Sequence, residues 1–355
     1  MKNKIVLFQK PSLSYVLNDG FNVDSATLIS PRQALPGPGQ LTIADTNGRM
    51  SISNGQLQWS GLVTVNDRIV SSSVFTRKGG RTLFLTIPTR TAIAGNGAVN
   101  YGWAPIANSG VMDFGFDVST TLTATRIRSA GGGLVDTIDL GSYHAIALMM
   151  RPTGGLIFAR STNSGPYTLY WVQSVNSTNL YARIMGVTAS SNTLSFDDLK
   201  VLDFPTYTQQ YSLATDTKLG TLANGVTFNH TADFVLEYTM VYTGSDVSVQ
   251  VRRSDAANSF ELWAQSNGAF TLYRNKTGNN ASVASSAGAF TNGNTYTIVV
   301  TVEQNVYKLY VNGALRVTYT DSLNHNIDQT SGIIVSNGTN VSDISTWPRK
   351  VQLPN

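Results

Sequence analysis

The chain has 355 residues, balances 25 Lys and Arg against 21 Asp and Glu for a net charge of +4, and contains no cysteine. Such a length is comfortable for two sandwich domains, each able to bury roughly 70% of its unfolded surface without a staple. The missing cysteines exclude disulfides, thiolate zinc sites and thiol catalysis. Only 13% of residues are charged, and the basic doublets Arg77-Lys78, Arg252-Arg253 and Arg349-Lys350 stand apart, which argues against a nucleic-acid partner, whose footprint is a clustered basic face.

In chain order, the first feature is Ile5-Val6-Leu7-Phe8, a four-residue apolar run. A secretory signal needs about 7–15 apolar residues and a membrane helix about 18, so neither a signal peptide nor membrane insertion is expected. Successive residues of an extended segment face opposite sides, so the four cannot share one core. Residues 1–18 are therefore read as an assembly arm that docks on other copies of the chain or on another protein.

From there almost every apolar stretch has a period of two, the mark of strands with one buried face. Leu83, Leu85 and Ile87 alternate with Thr82, Phe84 and Thr86; Phe234, Leu236, Tyr238 and Met240 alternate with Val235, Glu237, Thr239 and Val241. Gly131-Gly132-Gly133 and Gly154-Gly155 are read as turns, and no helix of three turns is expected. The sequence Tyr307-Lys308-Leu309-Tyr310-Val311-Asn312-Gly313-Ala314 predicts a hairpin whose Asn-Gly pair supplies the two positive φ angles of a type I′ turn.

The chain also repeats itself. Tyr143–Met150, Gly155–Phe158 and Phe196–Val201 in the first half match Tyr296–Val302, Tyr307–Tyr310 and Val341–Ile344 in the second. Proline cannot extend a central ladder, so the joint is placed at Phe204-Pro205-Thr206. The domains are then 19–205 and 206–355, after the arm at 1–18.

The stretch from Asn294 through Tyr307-Lys308-Leu309-Tyr310-Val311-Asn312-Gly313, with the late Asp343-Ile344, resembles the concanavalin A-like (laminin-G-like) jelly roll; Asp198-Leu199-Lys200-Val201 carries a weaker version in the first half. Pro36-Gly37-Pro38-Gly39 to Asp45-Thr46-Asn47-Gly48 looks like tandem domains of this kind in phage and environmental sequences. The resemblance implies an all-β protein of two tandem antiparallel β-sandwiches. It leaves function open, because this fold carries lectins, adhesins, glycosidases and virion parts alike.

Glycosidases of this fold place two carboxylates on one strand face, and a retaining pair must stand about 5–5.5 Å apart. The chain has only Glu237, Glu261 and Glu303 as glutamates, and no acidic residue has another two positions on. Asp113 and Asp117 share a face but are separated by about 13 Å along a strand. His144, His230 and His325 lie far apart in sequence, and neither a G-x-S-x-G elbow nor a Walker loop occurs. The expectation is a protein without catalytic residues.

Sugars offer apolar C–H faces and many hydroxyls, so their sites pair aromatic platforms with polar side chains. The candidates are Tyr101 and Trp103 in a Gly/Asn-rich stretch, Tyr170 and Trp171, and Trp263, whose strand face also carries Glu261 and Gln265. The competing reading packs these rings under loops or at domain contacts. No cofactor is expected apart from calcium, for which Asp246, Asp255 and Asn258 are the candidate ligands; isolated Asp and Asn in turns also serve turn chemistry. The leading functional reading is a non-catalytic structural or adhesion protein of a phage-like virion, in the particle or at an extracellular surface. The alternatives are a secreted glycan-binding lectin and, more distantly, a glycoside hydrolase.

Overall fold

Runs of Val, Ile, Thr, Tyr and Phe with a period of two fit a pleated surface with one covered face, and a helix would scatter them around its circumference. The computed structural model describes residues 14–21, 32–34, 38–63, 67–88, 99–118, 124–128, 133–141, 143–151, 154–174, 177–186, 190–203, 211–212, 227–229, 231–329, 331–336, 341–351 and 353. Among these there is no helix, and the strands pair antiparallel in several sheets. The Ile5-Val6-Leu7-Phe8 run, His230 and the joint at Pro205 lie outside the described residues. Contacts gather the chain into two compact units, Met1–Asn163 with Ser174–Tyr207, and Ser164–Gln173 with Thr208–Asn355.

In the first unit one sheet runs, in order, through Gly154–Arg160, His144–Arg151, Arg81–Ile87, Ser190–Asp203, Gln56–Val63 and Met50–Ser53. The other runs through Leu134–Asp139, Ala124–Arg128, Phe114–Val118, Val99–Ala104, Asn179–Gly186, Arg68–Ser71, Gln40–Ala44 and Arg32–Gln33. Tyr101, Trp103, Phe114 and Phe116 fill its core, each buried. Gly154 and Gly155 open a strand rather than form a turn. Their smallness has a packing use, because a Cβ on Gly155 would stand 2.7 Å from the Phe114 ring.

The second unit has one sheet ordered Tyr211–Ser212, Val341–Pro348, Phe234–Val241, Thr295–Glu303, Val306–Val311, Ala314–Thr320, and another ordered Thr227–Asn229, Ser331–Ser336, Val247–Asp255, Asn258–Ala264, Phe270–Lys276, Asn279–Ser286. Phe234, Leu236, Tyr238 and Met240 share a core with Val249, Phe260, Leu262 and Leu272. Each such side chain stabilises the unit by roughly 1.5–3 kcal/mol on burial.

The sequence repeat is a repeat of topology. In the first unit the hairpin of His144–Arg151 and Gly154–Arg160 leads by pairing to Arg81–Ile87 and then to Ser190–Asp203. In the second, Thr295–Glu303 and Val306–Val311 lead to Phe234–Val241 and then to Val341–Pro348. The Asn312-Gly313 turn has φ of 47° and 83°, the two positive angles expected of it, and Val311 faces Ala314 across it.

Candidate functional site

The five aromatic candidates separate into three environments. Tyr101 and Trp103 belong to the Val99–Ala104 strand, in which every residue is buried. The Tyr101 hydroxyl lies 3.2 Å from His144 Nε2, and its ring stacks on Phe116 at 6.2 Å. Trp103 Nε1 donates to the Leu148 carbonyl at 2.8 Å. Neither ring is a surface platform, which corrects the expectation for this pair. A Gly/Asn-rich stretch suggests a loop; as a strand it turns both rings inward and leaves Gly102 facing out.

That outward face is closed by the first unit's own chain. Gly102 sits opposite Gly115, and a Cβ on Gly102 would come within 2.6 Å of the Phe114 carbonyl and 3.0 Å of Met112 Cε. Buried Arg183 donates to the carbonyls of Ile106 at 2.8 Å, Val111 at 3.1 Å and Ser109. Burial, with Arg68 beside it, lowers the Arg183 pKa to about 10. Asn100 Nδ2 donates to the Gly110 carbonyl at 3.1 Å. The 105–112 segment is thereby fastened over the sheet.

Tyr170 and Trp171 are built into the second unit. The Arg349 guanidinium lies 5.3 Å from the centre of the half-buried Tyr170 ring, and the same residue donates to the Leu169 carbonyl at 2.7 Å. Trp171 is buried and meets Tyr310 edge-on at 4.7 Å. Both rings hold the 164–173 segment in place, and Trp171 offers no surface to a ligand.

Trp263 is different. It is half-buried on the outward face of the sheet whose inner face carries Val249, Leu262 and Leu272. On that face Ser248 pairs with Trp263 and Trp263 with Thr271, while Gln250 pairs with Glu261 and Glu261 with Tyr273. The two aromatic rings stand 5.4 Å apart, inclined by 56°. Glu261 is 5% exposed beneath them; its Oε2 accepts Trp263 Nε1 at 2.8 Å and its Oε1 accepts Gln250 Nε2 at 3.0 Å. Gln265 Nε2 donates to the Tyr273 hydroxyl at 2.9 Å, and Thr271 Oγ1 donates to Gln265 Oε1 at 2.9 Å. The result is an ordered polar floor with two aromatic walls.

Sequence reasoning singled out Trp263 with Glu261 and Gln265 but missed Gln250, Thr271 and Tyr273. Their signal was present in the alternation of Ser248-Val249-Gln250-Val251 and Phe270-Thr271-Leu272-Tyr273, whose polar members face away from the core.

The calcium candidates do not converge. Asp246 precedes the Val247–Asp255 strand and Asp255 ends it, so about 30 Å separates them at roughly 3.3 Å per residue. Asp246 accepts the Ser266 amide at 2.6 Å. Asp255 accepts the Ala257 amide at 2.7 Å and the Asn258 side chain at 2.9 Å, closing a turn. Asn258 and then Ala257 hold the Asp255 pKa below its ordinary value. Among the described residues no group of three or more His, Asp or Glu could hold a metal ion.

The three glutamates are also dispersed. Glu237 and Glu261 lie on different sheets, each turned away from the shared core. Glu303 bonds Arg349 at 3.1 Å and Lys350 at 3.0 Å. Asp117 is clasped by Arg126 at 2.6 Å and by Arg128. Asp113 receives Arg77 Nη2 at 2.7 Å and Ser177 Oγ at 3.0 Å, and burial raises its pKa. Among the described residues no helix is long and apolar enough to cross a membrane.

Two antiparallel sheets on a shared apolar core make the second unit a β-sandwich. Residues 213–348, which lie in the second unit, match the family described as the Concanavalin A-like lectin/glucanases superfamily, and the all-β architecture of the described residues is consistent with concanavalin A-like sandwich domains. No curated protein matches it. Among solved structures it is similar to an endo-beta-1,3-glucanase from Pyrococcus furiosus, at 10% identity over 55% of this chain and 96% of that one, with a TM-score of 0.39. It is also similar to a carbohydrate binding module from Bacillus subtilis, at 14% identity over 40% and 98% with a TM-score of 0.30, and to a galectin from Caenorhabditis elegans, at 14% over 38% and 99% with a TM-score of 0.31.

Proposed function

We propose that the protein binds a glycan on the outward face around Trp263 and serves as a non-catalytic adhesion component of a phage-like particle. The observation that carries the binding half is the pair of half-buried rings, Trp263 and Tyr273, 5.4 Å apart above a carboxylate fixed by two donors. A sugar presents C–H groups to such rings and hydroxyls to such a floor. Exposed aromatics on a sheet face otherwise expose apolar area to water at about 25 cal/mol per Å², so a ligand that covers them gains that term. The dispersed glutamates support the non-catalytic half. The neutral polar surface and the Ile5–Phe8 run support placement in an assembly.

The test is a glycan array with the full chain and with Trp263→Ala, the fold of each checked by circular dichroism. Loss of one ring contact worth about 1.5 kcal/mol corresponds to a fall in affinity of about ten-fold. Glycan binding equal in the two proteins, or none in either, would refute the site.

A further inference from the structure

The glycan reading leaves open what kind of glycan the face accepts, and its charge and shape bear on that. Over four strands, the rung through Trp263 runs from Ser248 to Ser285 and the rung through Glu261 from Gln250 to Ser282. Glu261 is the one charged residue on either rung. At the Gln265 turn Asp246, again an acid, accepts the Ser266 amide at 2.6 Å. No Lys, Arg or His lies on these rungs to receive a carboxylate or sulfate. On these two rungs an anionic sugar would meet Glu261 with no cation beside it, and like charges brought together on a partly desolvated surface repel.

Glu261 is well made for the opposite task. Each of its oxygens accepts one internal donor, Gln250 on Oε1 and Trp263 on Oε2, and a carboxylate oxygen has a second lone pair for a further donor. A sugar hydroxyl is such a donor. The rings set the shape: an inclination of 56° makes them the two sides of a notch rather than one plane. Crystalline polysaccharide presents a flat array of sugar rings, which a flat row of aromatics matches and a notch does not.

Resting on the glycan reading above, we propose that this face takes a soluble, uncharged glycan held by one sugar ring in the Trp263–Tyr273 notch. It discriminates against uronate-, sialate- or sulfate-bearing chains and against crystalline polysaccharide.

Titration calorimetry of the full chain tests this, with neutral soluble oligosaccharides and their uronate-bearing counterparts, beside retention on microcrystalline cellulose and chitin. The wild type is compared with Trp263→Ala, Tyr273→Ala and Glu261→Gln. Neutral oligosaccharides are expected to bind at least ten-fold more tightly than the acidic ones and to lose that affinity on either ring truncation. Glu261→Gln is expected to narrow the preference, and no retention on crystalline material is expected. Ring-dependent binding of acidic chains as tight as that of neutral ones, or ring-dependent retention on crystalline polysaccharide, overturns the inference while the glycan reading stands. Absence of ring-dependent binding in every arm overturns both.

Discussion

A residue at positive φ is held there by what its side chain and amide can do. Asn312, at φ 47°, donates its amide to the Thr297 carbonyl at 2.9 Å and accepts the Thr297 amide on Oδ1 at 2.8 Å. It therefore closes its own hairpin and ties that hairpin to the neighbouring strand. Proline has no amide hydrogen and a fixed φ near −65°, so Asn312→Pro is expected to destabilise the second unit by about 3 kcal/mol or more. Denaturant unfolding followed by Trp fluorescence checks this, and an unchanged transition would contradict the turn's role. Asp203 shows the same economy with charge. It accepts Arg81 Nε at 2.6 Å and Nη2 at 2.7 Å, with Lys78 at 3.1 Å, and the Arg81 bonds hold its pKa below the usual carboxylate value. A depressed folded pKa contributes stability that is present above the unfolded value near 3.9 and is lost as pH falls through the folded one. Asp203→Asn is thus expected to cost about 1 kcal/mol at pH 7 and nothing once the wild-type carboxylate is protonated. Melting curves between pH 2 and 7 that keep a constant difference would contradict this.

At the scale of an element, what a strand buries depends on partners that the sequence does not place beside it. The Asn312-Gly313 hairpin could be read directly because its chemistry is local, and so could three strands of the repeat, whose members keep their order along each half. Gly and Asn around Tyr101-Gly102-Trp103 suggest a loop, yet the stretch is a buried strand. The deciding fact is that Gly102 faces Gly115 across two strands, a pairing that depends on register. The same nonlocality hid Gln250, Thr271 and Tyr273 from the Trp263 site and scattered Asp246 and Asp255, which look adjacent until the strand between them is extended. The glycine pair yields its own expectation. A Cβ on Gly115 would stand 2.5 Å from the Tyr101 carbonyl and 2.9 Å from Gly102 Cα, both backbone atoms that cannot step aside. Gly115→Ala should therefore destabilise the first unit by about 1–3 kcal/mol through overpacking, and should raise amide exchange in the 105–112 segment that covers it. Wild-type stability with unaltered exchange would show that the two strands separate at no cost.

On the scale of the whole molecule, the assembly reading rests on a segment outside the described residues, so its warrant is the sequence itself. Ile5, Val6, Leu7 and Phe8 follow one another without a polar break. In an extended chain two of them face each way, and a lone strand with both faces apolar and unpaired edges invites association. Another copy of the chain, or another virion protein, can supply the missing cover. Removal of residues 2–10 is expected to leave both sandwiches folded, because each has an apolar core built from its own paired strands. It is expected to abolish self-association or docking. Circular dichroism checks the first half, and light scattering at several concentrations, beside co-purification with particles, checks the second. A truncated chain that assembles as the full one does would reduce the segment to an ordinary first strand. The glycan face would then be left to account for adhesion without an assembly arm.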